Sequence, residues 1–268
     1  MRRRPSRKSL LFAVVILIAM ALIAIEVFYL SPAVRRWAIE IEKRVGADEA
    51  LAARLNDEDL DVRGDAGDAL VRRGDAAVPT LIKQLDKSEP TARTSAAAIL
   101  GRIGPPAHSA VPTLKRLMLE DPEITVREQM ARSLGQVAFD QPAIIDELIG
   151  LLDTGDETTR VMAAEALGAA GEPAARAVPA LMRALVHEEA KVRAEAAEAL
   201  GAMGPAVRPA IPLLFAALDD SDHDVQHSAL ETLGRLSIDL AKTDPDLAIQ
   251  INATVNRFQA GQTTPAKR

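Results

Sequence analysis

Cysteine is absent from the 268 residues, which excludes disulfides, thiolate metal sites and cysteine nucleophiles together. Rings are nearly absent too, at 3% aromatic, so any core has to be closed by Ala, Leu, Val and Ile at short range. Histidine appears 4 times, a thin supply for metal or acid-base chemistry. Positive charge runs short after Gly46: Met1 to Gly46 holds 9 Lys or Arg against 3 Asp or Glu, leaving 23 against 35 in the remainder, a net −12. A body of that sign repels phosphate backbones, so no nucleic-acid partner is expected. No glycine-rich phosphate loop stands out, because the Gly-rich stretches fall at helix ends. We expect no cofactor.

What the chain does have is apolar residues, 48% of the total, in two different patterns. The first is continuous. Five cations (Arg2, Arg3, Arg4, Arg7, Lys8) precede an apolar run from Leu10 to Leu30, interrupted by Glu26. At about 1.5 Å per residue that run reaches about 30 Å, the hydrocarbon thickness of a bilayer. It predicts a single transmembrane helix, with the basic flank in the cytoplasm and the body outside, as in a bacterial inner-membrane protein. "AMA" at Ala19 to Ala21 offers a processing site, so retention or cleavage of the segment stays open.

The second pattern is periodic. Leu-Gly recurs at Leu100-Gly101, Leu134-Gly135, Leu167-Gly168, Leu200-Gly201 and Leu233-Gly234, in steps of 34, 33, 33 and 33, with Leu70-Val71 in an earlier copy. Seven residues before each Leu stands Arg63, Arg93, Arg127, Arg160 or Arg193, replaced by Gln226 in the last copy. A period of this length denotes a stacked array. Each unit reads as two helices. In "AVPALMRAL", Pro179 suits the first helical position, and Val178, Leu181, Met182 and Leu185 form one stripe. In "KVRAEAAEALGAMG", Val192, Ala196, Leu200 and Met203 share a face before Gly204-Pro205 stops the helix. Neither stripe can be buried alone, so each pair must lean on the next.

The columns "D..VR..AA.ALG..G" resemble the HEAT-like repeats, in particular the short class of the phycobilisome bilin lyases. The resemblance covers Ala47 to Leu240, about six units. It implies an all-α, right-handed α-α superhelix whose second helices line the concave side, used mostly for docking proteins. It also implies that the Arg column is a structural ladder paired with turn acids, here Asp57, Asp86, Asp121, Asp153 and Asp220. The expected organisation is a basic segment at 1–8, a transmembrane signal-anchor helix at 9–30 and a juxtamembrane neck at 31–46. A solenoid at 47–240, a capping helix at 241–258 and a disordered tail at 259–268 follow.

The helix position two before each repeat Leu should project from the packed stripe; it reads Asp68, Ala98, Arg132, Glu165, Glu198 and Glu231. Acidic in the last three units, and flanked by Glu195 and Arg235, it predicts a track of carboxylates for a basic peptide or helix. His223 and His227, four apart near Asp220, Asp222 and Asp224, are the nearest approach to a metal site. His223 is expected in the turn before its helix, which would break the pairing. The iron-binding His-Glu pairs that deoxyhypusine hydroxylase carries on such repeats are not reproduced, since the one His-Glu dipeptide, His187-Glu188, falls in a turn. The sequence thus points to a membrane-tethered interaction scaffold with no reaction of its own. A lyase-like or metal-dependent enzyme and a structural subunit of a membrane complex are the alternatives.

Overall fold

A computed structural model describes residues 32–45, 47–87 and 89–262. It divides into two compact units, 1–72 and 73–268. The described part of the first contains α1 (Pro32–Val45), α2 (Asp48–Ala53) and most of α3 (Leu60–Arg73). Ile39, Leu51, Leu55, Val62, Ala66 and Leu70 form its core. Arg35 holds Asp57 at 3.0 Å, and Arg36 pairs with Asp61, so α1 is tied to the loop and first turn of α3.

In the second unit helices alternate between two roles. First helices are α4 (Val78–Leu85), α6 (Val111–Glu120), α8 (Pro142–Thr154), α10 (Val178–Ala184) and α12 (Ile211–Ala217). Second helices are α5 (Pro90–Ile103), α7 (Ile124–Ala138), α9 (Glu157–Ala170), α11 (Ala190–Leu200) and α13 (His223–Leu240). Each first helix packs on the second helix that follows it, and the second helices pack in series, α5 on α7, α7 on α9, α9 on α11 and α11 on α13. Proline occupies an opening position of every first helix, where its missing N–H costs nothing. Four of the five are approached through a 3-10 turn; α8 is entered directly from α7, the local result of "FDQPAIIDELIGLL".

The Leu-Gly column has a steric origin. Leu100, Leu134, Leu167, Leu200 and Leu233 are all 0% exposed. At about 2–3 kcal/mol each they form the spine of the core. The glycine that follows lies where one second helix meets the next: a Cβ on Gly135 would stand 2.1 Å from the Ala166 carbonyl oxygen. One on Gly168 would stand 3.1 Å from the Ala199 Cα. With so few aromatic residues, the helices close the core by approaching at Gly and Ala.

At the carboxy-terminal end α14 (Pro245–Gln262) packs on α13 and covers its outer face with Ala248 and Ile251. The Leu247 N–H donates to Asp244 Oδ1 at 3.2 Å, a side-chain cap on the first turn. The helix extends four residues past the boundary at 258 drawn from sequence.

One expectation is corrected. No helix among the described residues is long and apolar enough to cross a membrane. The longest, α13 and α14, have 18 residues each and are interrupted by charge, as at Asp224, Glu231, Arg235 and Asp239 of α13. The structure therefore supports an all-helical array but not the transmembrane helix expected ahead of it, nor the localisation as a single-pass membrane protein. The 9–30 stretch on which that expectation rested lies outside the described residues.

Candidate functional site

The serial packing of second helices places the same helix position of successive repeats side by side, about 8–10 Å apart. This row presents Arg132 from α7, Glu165 from α9 and Glu198 from α11, and Glu195 of α11 and Arg235 of α13 flank it. They line a cleft of about 300 Å³ floored by Gly168, Ala169, Ala199 and Ala202, where small side chains leave the room. Arg132 Nη2 donates to Glu165 Oε1 at 2.5 Å across the repeat boundary. The Glu165 side chain is only 11% exposed although it carries a carboxyl.

Glu198 is exposed, but Glu165 and Glu195 are partly withdrawn from water. Burial pushes the Glu165 carboxyl up to about 7, helped by the charges of Glu128 and Glu198 and opposed by Arg132. Glu195 is pushed further, up to about 8, by burial first and then by the neighbouring Glu165 and Glu198 charges. No hydrogen bond to the Glu195 carboxylate is formed among the described residues. A like-charged pair on adjoining helices, partly withdrawn from water, holds protons that isolated glutamates would have lost. Such a cleft is poised to accept a cation.

The remaining candidates separate. Glu231 stays exposed on α13, with His227 Nε2 3.5 Å away, and does not line the cleft. Asp68 lies half-buried on α3 in the first unit. The Arg column turns inward to the connections: Nη1 of Arg63, Arg93, Arg127 and Arg193 donates to the carbonyl six residues earlier, that of Asp57, Lys87, Asp121 and His187 respectively, at 2.6 to 2.9 Å. Arg160 reaches the Leu152 and Asp153 carbonyls, and Gln226 Nε2 fills the same place against Asp220 O at 2.6 Å. Two of the turn acids pair with the column in the next-repeat sense, Asp121 with Arg93 at 2.7 Å and Asp220 with Arg193 at 2.8 Å. Asp86 and Asp153 instead take first-helix arginines, Arg116 and Arg183.

This two-helix unit, with its buried Leu, its close-contact Gly and its turn-binding Arg, matches the family model for HEAT repeats at residues 48–135, 111–186, 145–234 and 178–251. The chain belongs to the HEAT-repeat family. No curated protein matches it. Among solved structures, the karyopherin Kap121p bound to the extreme C-terminus of the protein phosphatase Cdc14p is 15% identical, with a TM-score of 0.50 over 87% of this chain and 30% of that one. At that identity the likeness is one of fold. The CpcE–CpcF complex of phycocyanin lyase from Nostoc sp. is 26% identical over 79% of this chain and 94% of that one, with a TM-score of 0.44. Human deoxyhypusine hydroxylase in complex with glycerol is 23% identical over 86% and 90%, at 0.34. Both are too distant in shape to speak for a shared activity.

Within the HEAT array, His223 is the first residue of α13 and not part of the turn, so His223 and His227 do share a helix. Both are exposed, and among the described residues no three His, Asp or Glu side chains are grouped to hold a metal ion. Two features escaped the sequence reading. Gln136 lines the cleft from the position after Gly135, and a depression near Ile124, Val161 and Met162 is linked to the cleft through a hollow that contains both Val161 and Glu195. The available signal was compositional: Val161 is an apolar residue near the amino-terminal end of a second helix, on a position that the other units fill with Gly64, Thr94, Glu128, Ala194 and His227.

Proposed function

We propose that this HEAT-repeat chain is a protein-interaction scaffold, and that its second-helix face docks a basic segment of a partner protein in the cleft formed by Glu165, Glu195 and Glu198. One contrast carries the reading. Elsewhere several acids are tied off across repeat boundaries: Lys115 with both Glu147 oxygens, Arg183 with both Asp153 oxygens, Arg176 with Asp146 and Arg208 with Asp244. In the cleft, among the described residues, three carboxylates share one ion pair, with Arg132, and burial and mutual repulsion hold two of them, Glu165 and Glu195, above the usual carboxylate range. A partner's Lys or Arg would relieve that repulsion, and the net −12 of the body beyond Gly46 favours approach of a cationic segment over an anionic one. The reading assigns no reaction to the chain.

The test uses lysine-rich and glutamate-rich peptides of equal length, titrated against the full chain by fluorescence anisotropy. The lysine peptide should bind, weaken steeply with added salt, and be lost on replacing Glu195 and Glu198 together by Lys, with helicity unchanged by circular dichroism. Equal binding of both peptides, or capture that survives the double reversal, would remove the cleft from the function.

A further inference from the structure

The acidic cleft does not end at its carboxylates. Glu195 also lines a second depression, shared with Val161, Ala194, Lys191, Asp222 and Asp224. Val161 in turn lines a third, with Ile124, Met162, Glu128 and Lys191. The shared residues make the three hollows one groove running over α7, α9, α11 and α13. Its ends differ in chemistry. At the amino-terminal ends of the helices the lining includes apolar groups open to solvent, with Ile124 43% exposed; one turn further along lies the cleft of Glu165, Glu195 and Glu198. Val161 and Glu165 are one turn apart on α9, about 5–6 Å along the axis.

Resting on the docking role proposed above, we propose that the groove reads a two-part signal: an apolar side chain of the partner against Ile124 and Val161, and a Lys or Arg two to three residues away among the three glutamates. Extended chain advances about 3.3 Å per residue, so this spacing spans the two hollows. The occupant is a segment of another protein. Charge selects it: the cation meets Glu165 from α9 and Glu195 and Glu198 from α11, and the adjoining hollows add Glu157 from α9, Glu128 from α7, Asp224 from α13 and Asp222 just ahead of it. Among the described residues that line the three hollows, the cations are Arg132, Lys191 and Arg235. An apolar contact alone would not discriminate among partners, and a cation alone would be readily displaced by salt; the combination gives both affinity and selectivity.

Labelled 12-residue peptides with an Ala-Gln background, titrated against the full chain, test this directly. One carries Leu two residues before Lys, a second has that Leu replaced by Ala, a third has Lys replaced by Gln, and a fourth separates Leu and Lys by seven residues. The first should bind about tenfold more tightly than each of the others. Val161→Ser should bring it down to the level of the Leu-free peptide while leaving the Leu-free peptide's own binding unchanged; Ile124→Ser, at a more exposed site, provides the same readout if Val161→Ser lowers the melting temperature. Binding that ignores the Leu but disappears with Glu195→Gln would overturn the two-part signal and leave the acidic docking site standing. Failure of every Lys peptide would remove both. Concentration-dependent dimerisation abolished by Val161→Ser would assign the groove to a second copy of this chain and also overturn the proposal.

Discussion

Glu195 shows how much of a site depends on a single position. Its carboxyl titrates near 8 in the folded chain against 4.5 for an isolated glutamate, because burial and two neighbouring carboxylates oppose its charge. The folded state therefore holds a proton that the unfolded state has released between those values. Stability from this group is intact below the unfolded pKa and is lost as pH rises through the folded one. Glu195→Gln removes the titration, so the variant should match the wild type near pH 4 and exceed it by on the order of 1–3 kcal/mol at pH 9 in urea denaturation. Parallel curves for the two proteins would show that the carboxyl is not strained. The same linkage governs capture: a cation binds the ionised form and expels the proton, so affinity for a Lys peptide should rise with pH from 6 to 8, by up to about tenfold per unit. Sequence marked Glu165 and Glu198 as neighbours, because a 33-residue period places equivalent positions side by side, and Glu195 as a flanking residue. It did not show that Glu231 leaves the row or that Arg132 takes Glu165. Those outcomes depend on rotamers and on helix lengths that columns do not record.

Between helices, two columns can be tested separately. Gly135 and Gly234 occupy the same column, yet a Cβ on Gly135 would meet the Ala166 oxygen at 2.1 Å, while one on Gly234 meets nothing within 4 Å. Gly135→Ala should force α7 and α9 apart and cost about 1–3 kcal/mol. Gly234→Ala should instead gain up to about 1 kcal/mol from helix propensity. Thermal melts of the two variants moving in opposite directions would establish that the column records close helix contact; equal losses would refute it. The Arg column serves the connections. Arg193 donates to the His187 and Glu188 carbonyls and forks onto both oxygens of Asp220, all at 2.8 Å, and holds the Asp220 carboxyl below its usual range. Arg193→Ala should cost about 2–4 kcal/mol, and Arg193→Lys should rescue little because an ammonium cannot fork. Both should leave Lys-peptide binding unchanged, as the ladder faces the connections and not the cleft. The helices, their order and the Leu spine were legible because burial repeats with the period. The apolar depression was not, because Val161 breaks its column, where the other units carry Gly, Thr, Glu, Ala or His, and a column reading averages such an exception away.

At the scale of the second unit, stacking makes fold and function separable. Each repeat touches its neighbours, so stability is close to a sum over adjoining pairs, and removing one whole period should leave interfaces of the same kind. Deleting residues 178–210 joins the 3-10 turn ending at Ala177 to α12, which begins with Ile211-Pro212 where α10 begins with Val178-Pro179. α9 then meets α13 in place of α11, and the small residues at Gly168 and Ala169 still allow close approach, this time to the region of Thr232. The shortened chain should remain helical and unfold cooperatively, with a lower melting temperature set by the loss of one interface. It should also fail to bind any Lys peptide, because Glu195 and Glu198 leave with α11 while Glu165 keeps Arg132 as its partner. A deletion that unfolds the chain would show that the unit is closed by long-range contacts and not by neighbours. One that folds and still captures the peptide would place the docking site outside the α9–α11 cleft.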